Sequence, residues 1–98
     1  MKTYLIQRNL QGAGKLTLEE RKTIAETSNR VIAEIGHDKL EWQQSYITKD
    51  NLWCVYNAEN EEYLKEHAKR GKFPCDDIRE IYGVLTPATA NIEIPAVA

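Results

Sequence analysis

The centre of the chain reads LEWQQSYITKDNLWCVY from Leu40 to Tyr56. Residues 40–48 and 52–56 are rich in aromatic and β-branched side chains, which favour β-strands. The polar residues 49–51 between them are typical of a hairpin turn. This segment therefore predicts two antiparallel strands, and the remaining elements can be placed around it.

A period of two along the first strand of this hairpin predicts which of its side chains share a face of the sheet. One face is expected to carry Trp42, Gln44 and Tyr46, so that two aromatic rings lie beside an amide. The opposite face is expected to carry four residues of mixed polarity, which are Glu41, Gln43, Ser45 and Ile47.

A helix is predicted on each side of the hairpin. Before it, Thr17 and Glu20 have the spacing of a capping box, apolar residues then recur at helical spacing, and Gly36 ends the pattern. After it, Asn60 has the residue type of an N-cap, and Gly71 is expected to be the left-handed residue that follows the second helix.

Two further strands are predicted outside the helices, over residues 3–7 and 78–85. The order β-α-β-β-α-β is that of the ferredoxin-like, or split βαβ, fold of the α+β class. It has a four-stranded antiparallel sheet with both helices on one face. Residues 1–86 are therefore expected to form one domain, and residues 87–98 an extended C-terminal tail that lies along a partner.

The second strand of the hairpin predicts a homodimer. Its side chains are apolar on both faces of the sheet, with Cys54 and Tyr56 on one face and Trp53 and Val55 on the other. Two helices cover only one face, and the sheet of a second copy, packed face to face, would cover the other. The alternative is a monomer whose aromatic face is partly exposed to solvent, and such a surface favours unwanted association.

Composition and short motifs exclude several classes of function. The 98 residues include 13 basic and 15 acidic side chains, whereas a general nucleic-acid binder has a basic face. The apolar runs are too short for a membrane span, and no apolar signal region follows Met1, so a cytoplasmic location is expected. Cys54 and Cys75 are too few for a disulfide framework. The sequence GAGKL at 12–16 lacks the spacing of a P-loop, so no nucleotide is expected.

His67 is the principal candidate for a functional residue. Helical spacing places it on the apolar stripe of the second helix together with Tyr63 and Leu64. A titratable ring on such a stripe is either a packed, hydrogen-bonded structural residue or part of a site. The other histidine, His37, follows the first helix and is interpreted as complementing the C-terminal end of its dipole.

Four segments occur in a characteristic order and spacing, which are GAGKL at 12–16, SYIT at 45–48, WCVY at 53–56 and EHAKRGKFP at 66–74. Together they resemble a family of small bacterial domains of unknown function described as nickel-binding-protein-like, over about residues 3–90. The resemblance implies a ferredoxin-like fold, assembly as a dimeric α+β barrel and metal binding. Family members often have Asp before the proline of the tail, where this chain has Thr86.

Two hypotheses of function follow. The first is a non-catalytic protein that binds nickel, or another divalent transition metal, through His67 with Glu41 and Glu66, because such ions prefer imidazole and carboxylate ligands. The alternative is a dimeric α+β barrel that binds or transforms a small organic ligand near His67, and the residues leave open whether it is an enzyme. The ligand pocket would be lined by His67, Tyr63, Tyr46, Gln44, Trp42, Cys54 and Tyr56.

Overall fold

A computed structural model describes residues 1–96 of the protein, so the last two residues of the predicted tail lie outside the described part. The elements are β1 Lys2–Asn9, α1 Leu18–Ile35, β2 Leu40–Ile47, β3 Asn51–Ala58, α2 Glu61–Gly71 and β4 Asp77–Ile81, with short 3-10 helices at Ala13–Lys15 and Pro87–Asn91. The strands form one antiparallel sheet in the order β2-β3-β1-β4, which confirms the predicted ferredoxin-like α+β fold. Within residues 1–96, no helix combines the length and apolar character needed to cross a membrane.

The core lies between the two helices and one face of the sheet. Alternate residues of β1 and β3 are buried, as a period of two requires when one face is covered. The opposite face, here called the open face, carries the half-buried side chains of Leu5, Trp53 and Val55. The covered face and the helices contribute the core residues Tyr4, Ile6, Val31, Ile32, Leu40, Leu52, Cys54, Tyr56, Ala58 and Leu64.

A β-bulge in β2 changes the faces predicted for this strand. Trp42 lies opposite Tyr56, but Gln44 already lies opposite Val55, so Gln43 is the extra residue. Each later side chain therefore lies on the face opposite to that expected from strict alternation. The covered face carries Ser45 and Ile47 after Trp42, and the open face carries Gln44 and Tyr46.

The bulge also satisfies a buried donor. Trp42 and Ser45 are three residues apart, and in a regular strand their side chains would point to opposite faces. With the extra residue they share a face, and the indole N–H of Trp42 donates to Ser45 Oγ at 3.0 Å. A tryptophan that is partly buried usually needs such an acceptor.

The predicted helix starts are confirmed. Thr17 Oγ1 accepts from the backbone N–H of Glu20 at 3.1 Å, and Glu20 Oε1 accepts from the N–H of Thr17 at 2.9 Å, which completes the capping box of α1. The hydrogen bonds that the Glu20 carboxylate accepts from Thr17 lower the pKa of Glu20. Asn60 caps α2 by accepting from the N–H of Glu62 at 3.0 Å, and Gly36 ends α1 with φ 121°.

The end of α2 differs from the prediction. Gly71 is still helical, and the left-handed residue is Lys72, with φ 57°. Phe73 N–H donates to Ala68 O at 2.9 Å and Lys72 N–H to Lys69 O at 3.4 Å, which is the pattern of a Schellman motif. Gly71 is needed for another reason, because a Cβ there would overlap the ring of Phe73.

Replacing Lys72 with glycine should raise the free energy of unfolding by up to about 1 kcal/mol, because glycine adopts the left-handed conformation without a Cβ clash. Gly71→Ala, one position earlier, should have the opposite sign, because it displaces the Phe73 ring. Urea denaturation of both variants measures this difference. A stabilising Gly71→Ala would contradict the stated role of that glycine.

Strand β4 is shorter than predicted and leads into an exposed tail. It ends at Ile81, opposite Thr3 of β1, because β1 itself begins only one residue earlier. The tail beyond it exposes apolar side chains, including Tyr82 at 91% and Leu85 at 89%. The radius of gyration is 15.8 Å, against about 13 Å for a compact domain of this length. The tail therefore projects from the domain and does not pack on it.

Candidate functional site

His67 lies in the interior, as its position on the apolar stripe of α2 predicts. The helix buries Leu64, His67 and Ala68, which are three and four residues apart. The imidazole is fully buried, with its centroid 5.2 Å from that of the Tyr56 ring and 5.4 Å from that of Phe73. It stacks on Phe73 at an interplanar angle of 24°. The ring is therefore packed between two aromatic side chains.

A short chain of polar groups connects His67 to α1 and the sheet. Its Nε2 lies 3.0 Å from Ser28 Oγ, and Ser28 Oγ lies 3.4 Å from the Tyr56 hydroxyl. The other ring nitrogen, Nδ1, has no hydrogen-bond partner among the described residues. Ser28, on the buried face of α1, thus links this helix to the rings of both His67 and Tyr56.

The environment keeps His67 neutral. Burial, together with the nearby positive charge of Arg8, lowers the pKa of His67 from 6.5 to about 4. Burial also raises the pKa of the Tyr56 hydroxyl, against the lowering effect of Arg8. At neutral pH this site therefore contains a neutral imidazole and a protonated phenol.

Arg8 is a site residue that sequence reasoning missed. It is only 2% exposed, and its Nη1 donates to the carbonyl oxygen of Pro74 at 2.6 Å. The guanidinium carbon lies 5.3 Å from the centroid of Phe73 and 5.9 Å from that of Tyr56, within the range of cation–π contacts. Nη2 has no hydrogen-bond partner among the described residues.

A cavity of about 250 Å³ lies between α1 and the covered face of the sheet, and it is here called the α1 cavity. Most of its wall is apolar, and its polar lining residues include Ser28, Tyr56 and Arg8. Apolar walls with a few polar groups are typical of small-molecule sites. The lining residues are Arg8, Leu16, Arg21, Ile24, Ala25, Ser28, Trp42, Ser45, Ile47, Leu52, Cys54, Tyr56 and Phe73.

The predicted ligand pocket agrees with this cavity in part. Trp42, Cys54 and Tyr56 line it, whereas His67 lies behind Tyr56 and Ser28, which it contacts. Three other predicted residues do not line the cavity, because the bulge turns two of them to the open face and the third packs beside Lys39. They are Gln44, Tyr46 and Tyr63.

The residues predicted as metal ligands are not gathered into one group. Within residues 1–96, no three His, Cys, Asp or Glu side chains lie close enough to hold an ion together. Glu66 forms an ion pair with Arg70 at 2.8 Å, and that hydrogen bond lowers the pKa of Glu66. Glu41 is exposed and lines a surface cleft with His37, not with the buried His67.

The arrangement is better suited to binding than to nucleophilic catalysis. A serine beside a neutral histidine has the residue types of an activated nucleophile. In such sites a third group orients the imidazole, but His67 Nδ1 has no partner within residues 1–96. Ser28 is itself buried within α1. The polar chain is therefore interpreted as holding Tyr56, whose ring forms part of the cavity wall.

Comparison with known proteins identifies the family. The model of the SCO4226-like family, described as nickel responsive protein SCO4226-like, matches residues 4–81. The crystal structure of SCO4226 from Streptomyces coelicolor A3(2) is similar, with a TM-score of 0.71 and 12% sequence identity over 85% of this chain and 99% of that chain. At this identity the likeness shows the fold alone. No curated protein matches the chain. The family model covers most of the chain, so this protein belongs to the SCO4226-like family.

Proposed function

We propose that this protein binds a small organic molecule in the α1 cavity. The observation that carries this proposal is a cavity of about 250 Å³ with largely apolar walls, into which a few polar side chains converge. One of these, Arg8, has a buried donor, Nη2, without a hydrogen-bond partner among residues 1–96. Buried polar groups without partners are rare in folded proteins, and a bound ligand is one way to satisfy them.

Benzoate and benzamide are suitable probes, since both are small and carry one aromatic ring. Binding of either is expected to shift the NMR resonances of Ala25, Ser28 and Cys54, which line the cavity. Ala25→Phe fills the cavity and should weaken binding of the better probe at least tenfold, because the added ring occupies the ligand's space.

The matched control is Ala33→Phe, an identical substitution at an exposed position of the same helix. It should leave probe affinity unchanged. If neither probe binds the wild-type protein, or if Ala25→Phe binds as the wild type does, the α1 cavity is not the ligand site.

A second candidate function is nickel binding at the surface, and its support is the family description, nickel responsive. His37 and Glu41 line one cleft together with the amides of Asn29 and Gln43. Imidazole, with carboxylate and amide oxygens, is a suitable ligand set for nickel or a similar divalent ion. His67 is a poor ligand by comparison, because its ring is buried between two aromatic rings.

Calorimetric titration of nickel chloride at neutral pH tests this site. His37→Ala should weaken nickel binding at least tenfold, whereas His67→Ala should leave the affinity of the folded protein unchanged. The reverse pattern would return the metal role to His67. Equal affinity in wild type and His37→Ala would remove the cleft as a nickel site.

We also propose a homodimer formed through the open faces of two sheets. The open face carries Leu5, Trp53 and Val55 at the centre of the sheet, where no element of the same chain covers them fully. The tail that follows β4 exposes further apolar residues, including Tyr82 and Leu85. Apolar surface that stays partly exposed marks interaction sites, and a second copy offers the same surface in return.

A further inference from the structure

We infer that the molecule bound in the α1 cavity is a small organic acid whose carboxylate pairs with Arg8. This inference rests on the proposed function of the cavity and adds the chemical class of its ligand. Three observations carry it: the state of the buried guanidinium, the charge of the cavity wall, and the shape and size of the space.

The guanidinium of Arg8 is buried without a counter-charge. It takes part in none of the ion pairs found within residues 1–96. Its hydrogen bond to the Pro74 carbonyl and its contacts with two aromatic rings stabilise one side of the charge. Nη2 and its two N–H donors remain without an acceptor. An unpaired buried charge is strongly destabilising, and an anionic ligand would remove much of that cost.

The wall of the cavity is positively charged, although the chain as a whole has a formal net charge of -2. Arg8 lies in the wall and Arg21 is an exposed lining residue, and the lining contains no aspartate or glutamate. A low-dielectric cleft lined by one sign of charge concentrates ligands of the opposite sign. The field at this site therefore selects anions over neutral molecules of the same shape.

The polar groups suit a carboxylate with an apolar body. A guanidinium presents its donors in a planar fork that matches a carboxylate. Tyr56 and Ser28 line the same wall, and their hydrogen bonds to each other and to His67 leave at most one of the two hydroxyl protons for a ligand. The remaining surface, including Ile24, Leu52 and Trp42, would contact hydrocarbon. A volume of 250 Å³ equals about eight waters at roughly 30 Å³ each, which limits the ligand to one ring or a short chain.

Benzoate and benzamide form the decisive pair, because they have the same number of non-hydrogen atoms and differ in charge. The wild-type protein should bind benzoate at least tenfold more tightly than benzamide, as followed by NMR titration at low ionic strength. Arg8→Met should lower benzoate affinity at least tenfold and leave benzamide affinity within about threefold, so that the preference disappears. Arg30→Met, a control at an exposed position of α1 that does not line the cavity, should retain the preference.

Arg8→Lys provides a second variant that keeps the charge and loses the planar fork. It should retain part of the benzoate preference. If Arg8→Met does not fold, Arg8→Lys still tests whether Arg8 causes this preference. Wild-type protein that binds benzamide as tightly as benzoate overturns the inference and leaves the proposed function of the cavity standing. An unchanged benzoate preference in folded Arg8→Met overturns it as well. Failure of both probes to bind overturns the inference together with the proposed function.

Discussion

Acidification from pH 7 to pH 5 should lower the free energy of unfolding by about 2 kcal/mol through His67 alone. The pKa of His67 is about 4 in the folded protein, against 6.5 for an unperturbed histidine. Between these values the unfolded chain binds more protons than the folded chain, so stability is lost as the pH falls. The full loss, on the order of 3 kcal/mol, is reached only below pH 4, where the folded protein also binds the proton.

The groups that face His67 explain why the folded protein resists its protonation. Tyr56 and Phe73 enclose the ring, and Ser28 provides its one hydrogen bond. The nearest charge that affects its pKa is the positive charge of Arg8, which opposes a second cation. None of these groups is a carboxylate that could stabilise an imidazolium. Protonation therefore favours the unfolded chain, where water solvates the ring.

Urea denaturation at half-unit steps of pH between 7 and 5 measures this effect above the range in which most carboxyl groups titrate. His67→Gln, whose amide can still reach Ser28, should be less stable at pH 7 and should lose most of the pH dependence. His37→Ala, which changes the exposed histidine, should keep the wild-type slope. A resonance of the His67 ring that titrates near pH 6.5 in the folded protein would refute the prediction.

The local signals in the sequence were reliable where neighbouring residues determine the structure. Thr17 with Glu20, and Asn60 before α2, satisfy backbone donors within the next three residues, so the pattern contains all the partners. The end of α2 was misplaced because its geometry depends on the ring of Phe73, which folds back over Gly71. A glycine near a helix end predicts a left-handed residue, but here it provides room for a ring.

The bulge in β2 could not be read from the sequence. Gln43 and Gln44 are identical residues, so alternation does not indicate which of them is extra. The pairing with β3 and the hydrogen bond from Trp42 to Ser45 determine which glutamine is extra, and both depend on the tertiary structure. As a consequence, strict alternation predicts Tyr46 in the ligand pocket, although its side chain lies on the open face.

The sequence predicts the location of the candidate site through His67, but it does not predict all of the residues that form the site. Helical spacing placed His67 against the sheet, whereas its partner Ser28 lies 39 residues away in the chain. A signal was nevertheless present, since Ser28 falls on the same helical stripe as Ile24 and Ile32. Arg8 would have been found by extending β1 beyond Gln7, because it continues the buried alternation of the strand.

Leu5→Glu should convert the proposed homodimer into a monomer. Leu5 lies on the central strand β1, opposite Val55 and on the open face, so a second sheet packed there would bury the new carboxylate without a partner. A buried unpaired charge is among the most destabilising changes at an interface. Sedimentation of the wild-type protein should give about twice the chain mass of 11.3 kDa, and Leu5→Glu should give the chain mass.

Leu18→Glu is the matched control, since Leu18 is 82% exposed at the start of α1, on the helix side of the sheet. It should sediment as the wild type does. Circular dichroism distinguishes loss of assembly from loss of folding in Leu5→Glu. A wild-type protein that sediments at the chain mass over the whole micromolar range would rule out the sheet-to-sheet dimer.

The tail is expected to contribute to the same interface, because the sheet alone is too small. Three strands of eight residues and one of five, with about 3.3 Å per residue and about 4.8 Å between strands, present roughly 460 Å², whereas a stable interface buries about 800 Å² on each partner. The exposed apolar residues after Ile81 can supply the difference only if the tail lies on the other copy. Removing residues 82–98 should therefore weaken the dimer at least tenfold and leave the fold intact, since β4 ends at Ile81. An unchanged dissociation constant would mean that the sheet faces suffice and that the tail has another role.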